Sequence, residues 1–446
     1  MRPYLVALGL SDALLAGPAE QWSAHARCAR ALDATPPWLP ALCRKMTLDF
    51  ASRWHDDFRH VLAEAICSWP QFLQAWASEH RPYLRYYFVE SPRMGARPLA
   101  LEHCALPDIP TVGAIADWLR LDVRDVDWLA DCRGREASAA DERLRHYRYC
   151  WVRKRTVGYR LLEMPKTALR TVQRRILREL LEYVPPHDAA HGFRARHSCL
   201  THARQHVGQD IVIRMDLKDF FLSFGAARVR ALFRTLGYPR DAARTLAGLC
   251  TNSVGKLLLE ANDPAKYAFE LPQLTWEERK RYQAPHLPQG APTSPALANL
   301  CAFGFDLRLH ALAQSIGARY TRYADDLTFS GGKEVARASQ RLIPLIGAIA
   351  LDEGLAINHH KTQVMRRSTQ QRVTGIVVNQ KINPPRGQYD RLKAILYNCA
   401  RHGPQTQNRH AVDDFRAHLA GRIAHCAMLS PARGAHLKRL FARIAW

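Results

Sequence analysis

Three aspartates stand where carboxylate chemistry would be possible. Asp216 ends the apolar run QDIVIRMD, and Asp325 and Asp326 sit side by side in TRYADDLTFS, whose flanking residues alternate as in a strand. Adjacent carboxylates repel at close range, so a folded chain leaves them in water or neutralises them with a cation. If the two strands are neighbours in one sheet, three carboxylates converge on one patch, and such a set of hard oxygen ligands suits Mg2+. The pair alone decides nothing. Asp-Asp also occurs at Asp56-Asp57 and Asp413-Asp414, and a solvated turn explains Asp325-Asp326 at least as well as a metal site.

The elements that would have to position these acids belong to an ordinary globular chain. Its 446 residues allow two or three domains, and a hydrophobic fraction of 47% argues against disorder. Charge is less ordinary: 64 Lys+Arg against 41 Asp+Glu leaves +23, which favours a polyanionic partner such as nucleic acid over the blander alternative of an Arg-rich proteome. Eleven cysteines are scattered without a Cys-x-x-Cys pair or zinc spacing, as expected of reduced thiols in a cytoplasmic protein. The apolar N-terminal run is broken by Ser11 and Asp12, and no stretch approaches the ~20 apolar residues of a membrane span.

Residues 1–105 show apolar positions at three- and four-residue spacing and read as helices packed by one face. YRYCWVRKRTVGYRLLEMP suits a hairpin with cations near its tip, and RTVQRRILRELLEYV a helix. An irregular insertion is expected near 255–283. In LPQGAPTSPALANL, Thr293 or Ser294 could cap a helix that tolerates Pro295 in its first turn. A helix should end near Gly354, and INHHKTQVM and QRVTGIVVNQKIN read as strands. The tail 384–446 carries eleven Lys/Arg and three acids, a net +8 on a small helical domain able to bind phosphates without reading sequence.

Six segments in order, AHGFRARHS, RMDLKDFF, LPQGAPTSPALANL, YADDLTF, INHHKT and VTGIVVN, resemble the reverse transcriptases, and among them the bacterial retron type. The resemblance runs from about residue 110 to the C-terminus. It implies an α+β, right-hand polymerase fold: a helical N-terminal extension (1–105), fingers and a palm with an antiparallel sheet (106–383), and a basic helical thumb (384–446). It implies an RNA-directed DNA polymerase using two Mg2+ ions held by Asp216, Asp325, Asp326 and the Leu217 carbonyl. Phe221 matches the bulky residue under the incoming sugar, although core packing would also place it. Gln289 with Gly290 matches the loop against the nascent base pair. Lys154 and Arg160 resemble the cations that grip the triphosphate, with Arg153 and Arg155 as neighbours. Lys361 matches a lysine that protonates pyrophosphate or simply contacts phosphate, while His359 and His360 read as surface or RNA-facing residues.

Val373, Thr374 and Gly375 match the triplet implicated in recognising the structured noncoding RNA, with Arg391 and Lys393 as further RNA contacts. The implied partners are that RNA, its branched product msDNA primed from a guanosine 2′-hydroxyl, deoxynucleoside triphosphates and an effector or toxin protein, in an antiphage setting without a membrane. The Asn-Ala-x-x-His motif of the family is missing, Ala284-Pro285-His286 being a poor match. Other readings are a group II-like, diversity-generating or standalone defence polymerase, and a non-catalytic RNA-binding scaffold or antitoxin.

Overall fold

The computed structural model describes residues 3–51, 54, 58–79, 81–87, 92–139, 141–154, 158–260 and 274–446. Asp56-Asp57, Arg155 and much of the expected insertion lie outside the described residues. The chain divides into two compact units: Met1–Glu102 with Asp108–Trp128 and Phe233–Leu246, and His103–Pro107 with Leu129–Leu232 and Ala247–Trp446.

In the first unit the apolar spacing does what the sequence suggests. Helices Pro3–Leu15, Gln21–Leu32, Leu39–Phe50, Arg59–Cys67 and Pro70–Ala77 turn one face inward. Val6, Leu10 and Leu14 thereby close on Cys28, Leu42, Met46, Leu62, Ile66 and Phe72 in a dry core. Asp12, on the first helix, is held by Arg59, whose Nη2 donates to Oδ2 at 2.7 Å.

Among its described residues the second unit has three antiparallel sheets. Strands β1 (Tyr147–Arg153) and β2 (Tyr159–Pro165) form the basic hairpin. Strands β3 (Ile211–Asp216), β4 (Arg319–Tyr323), β5 (Asp326–Gly331) and β6 (Gln363–Arg366) form one sheet in the order β4-β5-β3-β6. Strands β3, β4 and β5 are buried over most of their length, whereas Gln363, Val364 and Arg366 of the edge strand β6 are exposed. Helices Phe303–Ser315 and Lys333–Asp352 pack on one face, and the short helix Cys199–Arg204 lies against the other. Strands β7 (Arg372–Val373) and β8 (Ile376–Val377) are a two-residue hairpin around Thr374-Gly375. Positive φ at both turn residues, 46° and 81°, matches the turn that follows strand twist. At the C-terminal end, helices Arg386–His402, Phe415–Leu429 and Pro431–Phe441 enclose Leu392, Leu396, Leu419, Ile423 and Leu437.

Two local expectations need correction. Neither Thr293 nor Ser294 caps the Ser294–Cys301 helix with its side chain; the Ser294 hydroxyl donates instead to the Pro288 carbonyl at 2.7 Å, tying the loop before the helix. INHHK is not strand: His359–Lys361 is a 3-10 turn leading into β6. None of the eleven cysteines forms a disulfide, and among the described residues no helix is long and apolar enough to cross a membrane.

Candidate active site

The register of β3 on β5 sets Asp216 directly opposite Asp326. Residues opposite one another in an antiparallel pair project to the same face. Strand β4 returns through the two-residue turn Ala324-Asp325, with Tyr323 opposite Asp326. Three acids from segments more than a hundred residues apart therefore meet at one end of one sheet. The backbone locks them there: the Leu217 N–H donates to the Asp325 carbonyl at 2.9 Å, and Asn358 N–H to the Asp216 carbonyl at 2.7 Å. The second bond, with Lys218 N–H to Ala356 O at 2.7 Å, fastens the loop that carries Lys361. Lys361 Nζ donates to Asp216 Oδ2 at 2.9 Å.

The turn itself is strained. Ala324 has φ of +56°, a left-handed conformation that costs a residue with a Cβ about 1–2 kcal/mol. Surroundings hold it. A Cβ on Gly192 would stand 2.5 Å from the Ala324 nitrogen, so the AHGF loop presses its bare α-carbon onto the turn, and only glycine permits that approach.

Electrostatics distinguish the acids. Arg214, two residues before Asp216 and on the same face, forks onto Asp326 with Nε to Oδ1 at 2.8 Å and Nη2 to Oδ2 at 2.9 Å. Burial pushes the Asp326 carboxyl up, and the Arg214 hydrogen bonds and charge oppose that rise without cancelling it. Asp325 is also pushed up, by burial first and then by the charge of Asp216. Among the described residues no three His, Cys, Asp or Glu side chains form a ready-made ion cage; Lys361 stands on Asp216 and Arg214 on Asp326. As a donor set, half-buried carboxylates whose ionised forms are disfavoured fit a divalent cation, which would supply the missing positive charge.

The other predicted residues disperse around this centre. Phe221 is half-buried, with its ring 6.0 Å from Phe193 of the AHGF loop and 5.7 Å from Phe220. Gln289 accepts the Glu163 N–H through its carbonyl at 2.9 Å, and Gly290 has φ of +135°, with a Cβ there 2.9 Å from the Glu163 carbonyl. Arg160 lies on β2 and Lys154 just past the end of β1, its N–H donating to the Gly158 carbonyl at 2.8 Å, and no bond among the described residues joins either to the carboxylates. Val373 is fully buried beside Val212 and Met365, so only Thr374 and Gly375 of the triplet reach the surface. Arg391 lines a cleft of about 780 Å³ together with Arg372, His418, Arg422 and His425. Lys393, two residues on along the same helix, points elsewhere.

A buried cluster escaped the sequence. Glu163 and His286 are each 1% exposed or less and pair at 2.9 Å, with Asn252 Nδ2 donating to the second Glu163 oxygen at 2.7 Å. Asn252 and His286 also exchange backbone hydrogen bonds of 2.9 Å, so an Asn and a His that make no sequence motif still meet in space. Both ring nitrogens of His286 face acceptors, Glu163 and the Ala284 carbonyl, which only the imidazolium satisfies. Burial alone would push His286 down; the Glu163 carboxylate overcomes it and holds the ring above its ordinary value. Arg214 was more legible: its i−2 spacing from Asp216 in a strand puts it on the same face.

Residues 152–378 match the family described as Reverse transcriptase (RNA-dependent DNA polymerase). Over 305 residues the chain is 40% identical to the Retron Mx65 reverse transcriptase of Myxococcus xanthus, an overlap of 67% of this chain and 65% of that protein. Over 343 residues it is 35% identical to the Retron Mx162 reverse transcriptase of the same organism, with 74% and 66% covered. The chain thus spans just under two thirds of the length of these curated relatives. Among solved structures, the telomerase of Candida albicans with a telomeric RNA fragment shows a weak likeness, with a TM-score of 0.39 and 10% identity over 66% of this chain and 56% of that one.

Proposed function

Because the chain belongs to the bacterial retron-type reverse transcriptases, we propose that it is an RNA-directed DNA polymerase whose catalytic carboxylates are Asp216, Asp325 and Asp326. The observation that carries this reading is the β3–β5 register, which puts Asp216 opposite Asp326 with Asp325 on the adjoining turn. Two Mg2+ ions on these acids and the Leu217 carbonyl would supply Lewis acidity to a primer hydroxyl and to the phosphates of a deoxynucleoside triphosphate.

The chain's own residues supply the rest. Among the described residues Asp325 forms no ion pair, and it is the principal ligand; Asp326, gripped by Arg214, is the secondary one. Lys361, once released from Asp216, stands beside the reacting phosphates to offset or protonate the departing pyrophosphate. Phe221 takes the place under the sugar where a 2′-hydroxyl would clash. Gln289 and Gly290 lie against the nascent pair, and Lys154 and Arg160 meet the triphosphate.

We assign residues 1–105 to a helical extension, 106–383 to fingers and palm, and 384–446 to the thumb. The cleft of Arg372, Arg391 and Arg422 has no acidic lining residue and would seat phosphates of the cognate RNA beside the Thr374-Gly375 turn. The product would be msDNA and its setting antiphage defence. Purified protein given its own RNA, deoxynucleotides and Mg2+ should make cDNA joined 2′-5′ to RNA. Asp325→Asn should abolish synthesis and keep RNA affinity. Undiminished synthesis by that variant would overturn the site, and purely linear cDNA would move the enzyme to another class.

A further inference from the structure

Arg322 heads the largest fully buried side chains of the described residues, with no exposure at all. Dehydrating a guanidinium is costly unless its donors are engaged, and these are. Nε and Nη2 fork onto Asp306 at 2.8 and 2.6 Å, while Nη1 donates to Asn299 Oδ1 at 3.0 Å and to the Ala324 carbonyl at 3.1 Å. Asp306 is equally buried and also accepts the Tyr320 hydroxyl at 2.7 Å.

The contacts form a clamp on one short turn. Arg322 and Tyr320 occupy the face of β4 that packs on the Phe303–Ser315 helix, opposite to the face of Asp216 and Asp326. Arg322 therefore reaches the acids only through the carbonyl of Ala324, the strained residue immediately before Asp325. Asn299, its second partner, donates to the Gly192 carbonyl at 2.8 Å, and Gly192 is the residue pressed onto Ala324 from the other side. Arg322 also ties in its backbone, giving its N–H to Ala189 O at 2.7 Å and accepting from His191 N–H at 2.8 Å. Its guanidinium lies 5.4 Å from the Phe220 ring, next to Phe221. One side chain thus joins the AHGF loop, the segment after Asp216, two helices and the Ala324-Asp325 turn.

We propose that the buried Arg322–Asp306 pair positions the catalytic turn: by holding the Ala324 carbonyl it fixes the direction of Asp325 without touching substrate. The inference rests on the reading of Asp325 as a catalytic carboxylate. A buried ion pair is a weak device for stability, since apolar groups of similar volume replace it at little loss or with gain. A hydrogen-bonded fork specifies direction, which apolar groups cannot do.

Two variants separate positioning from folding. Tyr320→Phe/Asp306→Leu/Arg322→Met removes every charge of the network and fills the space, and Arg322→Lys keeps the charge beside Asp306 but cannot span to Ala324 and Asn299. Each is measured for Tm, for kcat and KM of dTTP on poly(rA)·oligo(dT), and for its Mg2+ requirement, with Asp325→Asn alongside. In the triple variant kcat should fall about a hundredfold and in Arg322→Lys about tenfold, the scale of an ångström-sized misplacement. KM for dTTP should stay within about threefold, the Mg2+ midpoint should rise, and Tm should hold within about 3 °C. Near-native kcat in either folded variant would overturn the proposal. So would a kcat loss that tracks loss of Tm, or failure of both variants to fold, since either assigns the network to stability. Retained synthesis in Asp325→Asn would sink the site itself; loss there with native rates in the network variants sinks only the clamp.

Discussion

Asp325-Asp326 and Asp413-Asp414 are the same dipeptide in opposite circumstances. Asp414 precedes the Phe415–Leu429 helix, and its Oδ1 accepts the Ala417 N–H at 2.8 Å. Both acids of that pair are exposed, and a helix N-terminus favours negative charge. Asp325-Asp326 is half-buried, faces a third carboxylate, and needs Arg214 and Lys361 for partial neutralisation. One pair sits exposed at a helix start and the other is packed where burial disfavours its charge. A charge kept at a cost to stability is the expected mark of function.

The sharpest way to break this contrast is to neutralise one acid of each pair. Asp325→Asn should reduce DNA synthesis by at least about a thousandfold while raising the Tm of the metal-free protein by about 1–3 °C. Asp414→Ala should leave synthesis intact and lose about 1 kcal/mol of stability with the cap. Primer extension and thermal melts on the same preparations read both. Gly192→Ala comes next: with a Cβ 2.5 Å from the Ala324 nitrogen, the turn must shift, and kcat should fall about a hundredfold. Arg214→Gln should be milder, near tenfold in kcat, and it should push the Asp326 carboxyl further up, which a pH profile of Mg2+ binding would register.

The smallest effect is in stability against pH. Asp325 and Asp326 have raised folded values, so the folded state binds their protons more tightly than the unfolded state. Without metal, stability should fall as pH rises through that raised range above about 4, and saturating Mg2+ should remove the slope. His286 is also raised, but its charged form is the stabilising one. Its contribution is complete below about pH 6.5 and is lost as pH rises through the higher folded value. Glu163→Gln should flatten that alkaline limb, and denaturant melts from pH 5 to 9 would show it. An unchanged limb would mean the buried pair does not couple to folding.

The comparison also marks how far the sequence was legible. Alternation showed that Asp216 ended one strand and that Asp325-Asp326 belonged to another, and the ordered motifs put the two together. Alternation reports parity, not what lies opposite. It placed Arg322 on the face of Tyr320 without disclosing Asp306, and it gave no sign that Glu163 would find His286 across 123 residues. Val373 reads as a surface triplet residue until the packing of Val212 and Met365 is known. Lys393 looks equivalent to Arg391 until helical geometry separates them. The INHHK segment has strand-like composition, yet its Asn358 N–H is committed to the Asp216 carbonyl and His359–Lys361 closes a 3-10 turn.

The most direct measurement is to express the native chain and Asp325→Asn with their genomic flanks, purify both, and sequence the nucleic acid that comes with each. The native protein should carry a short cDNA joined 2′-5′ to RNA, and Asp325→Asn should carry the RNA alone. The same cDNA on both proteins, or none on the native one, would contradict the account.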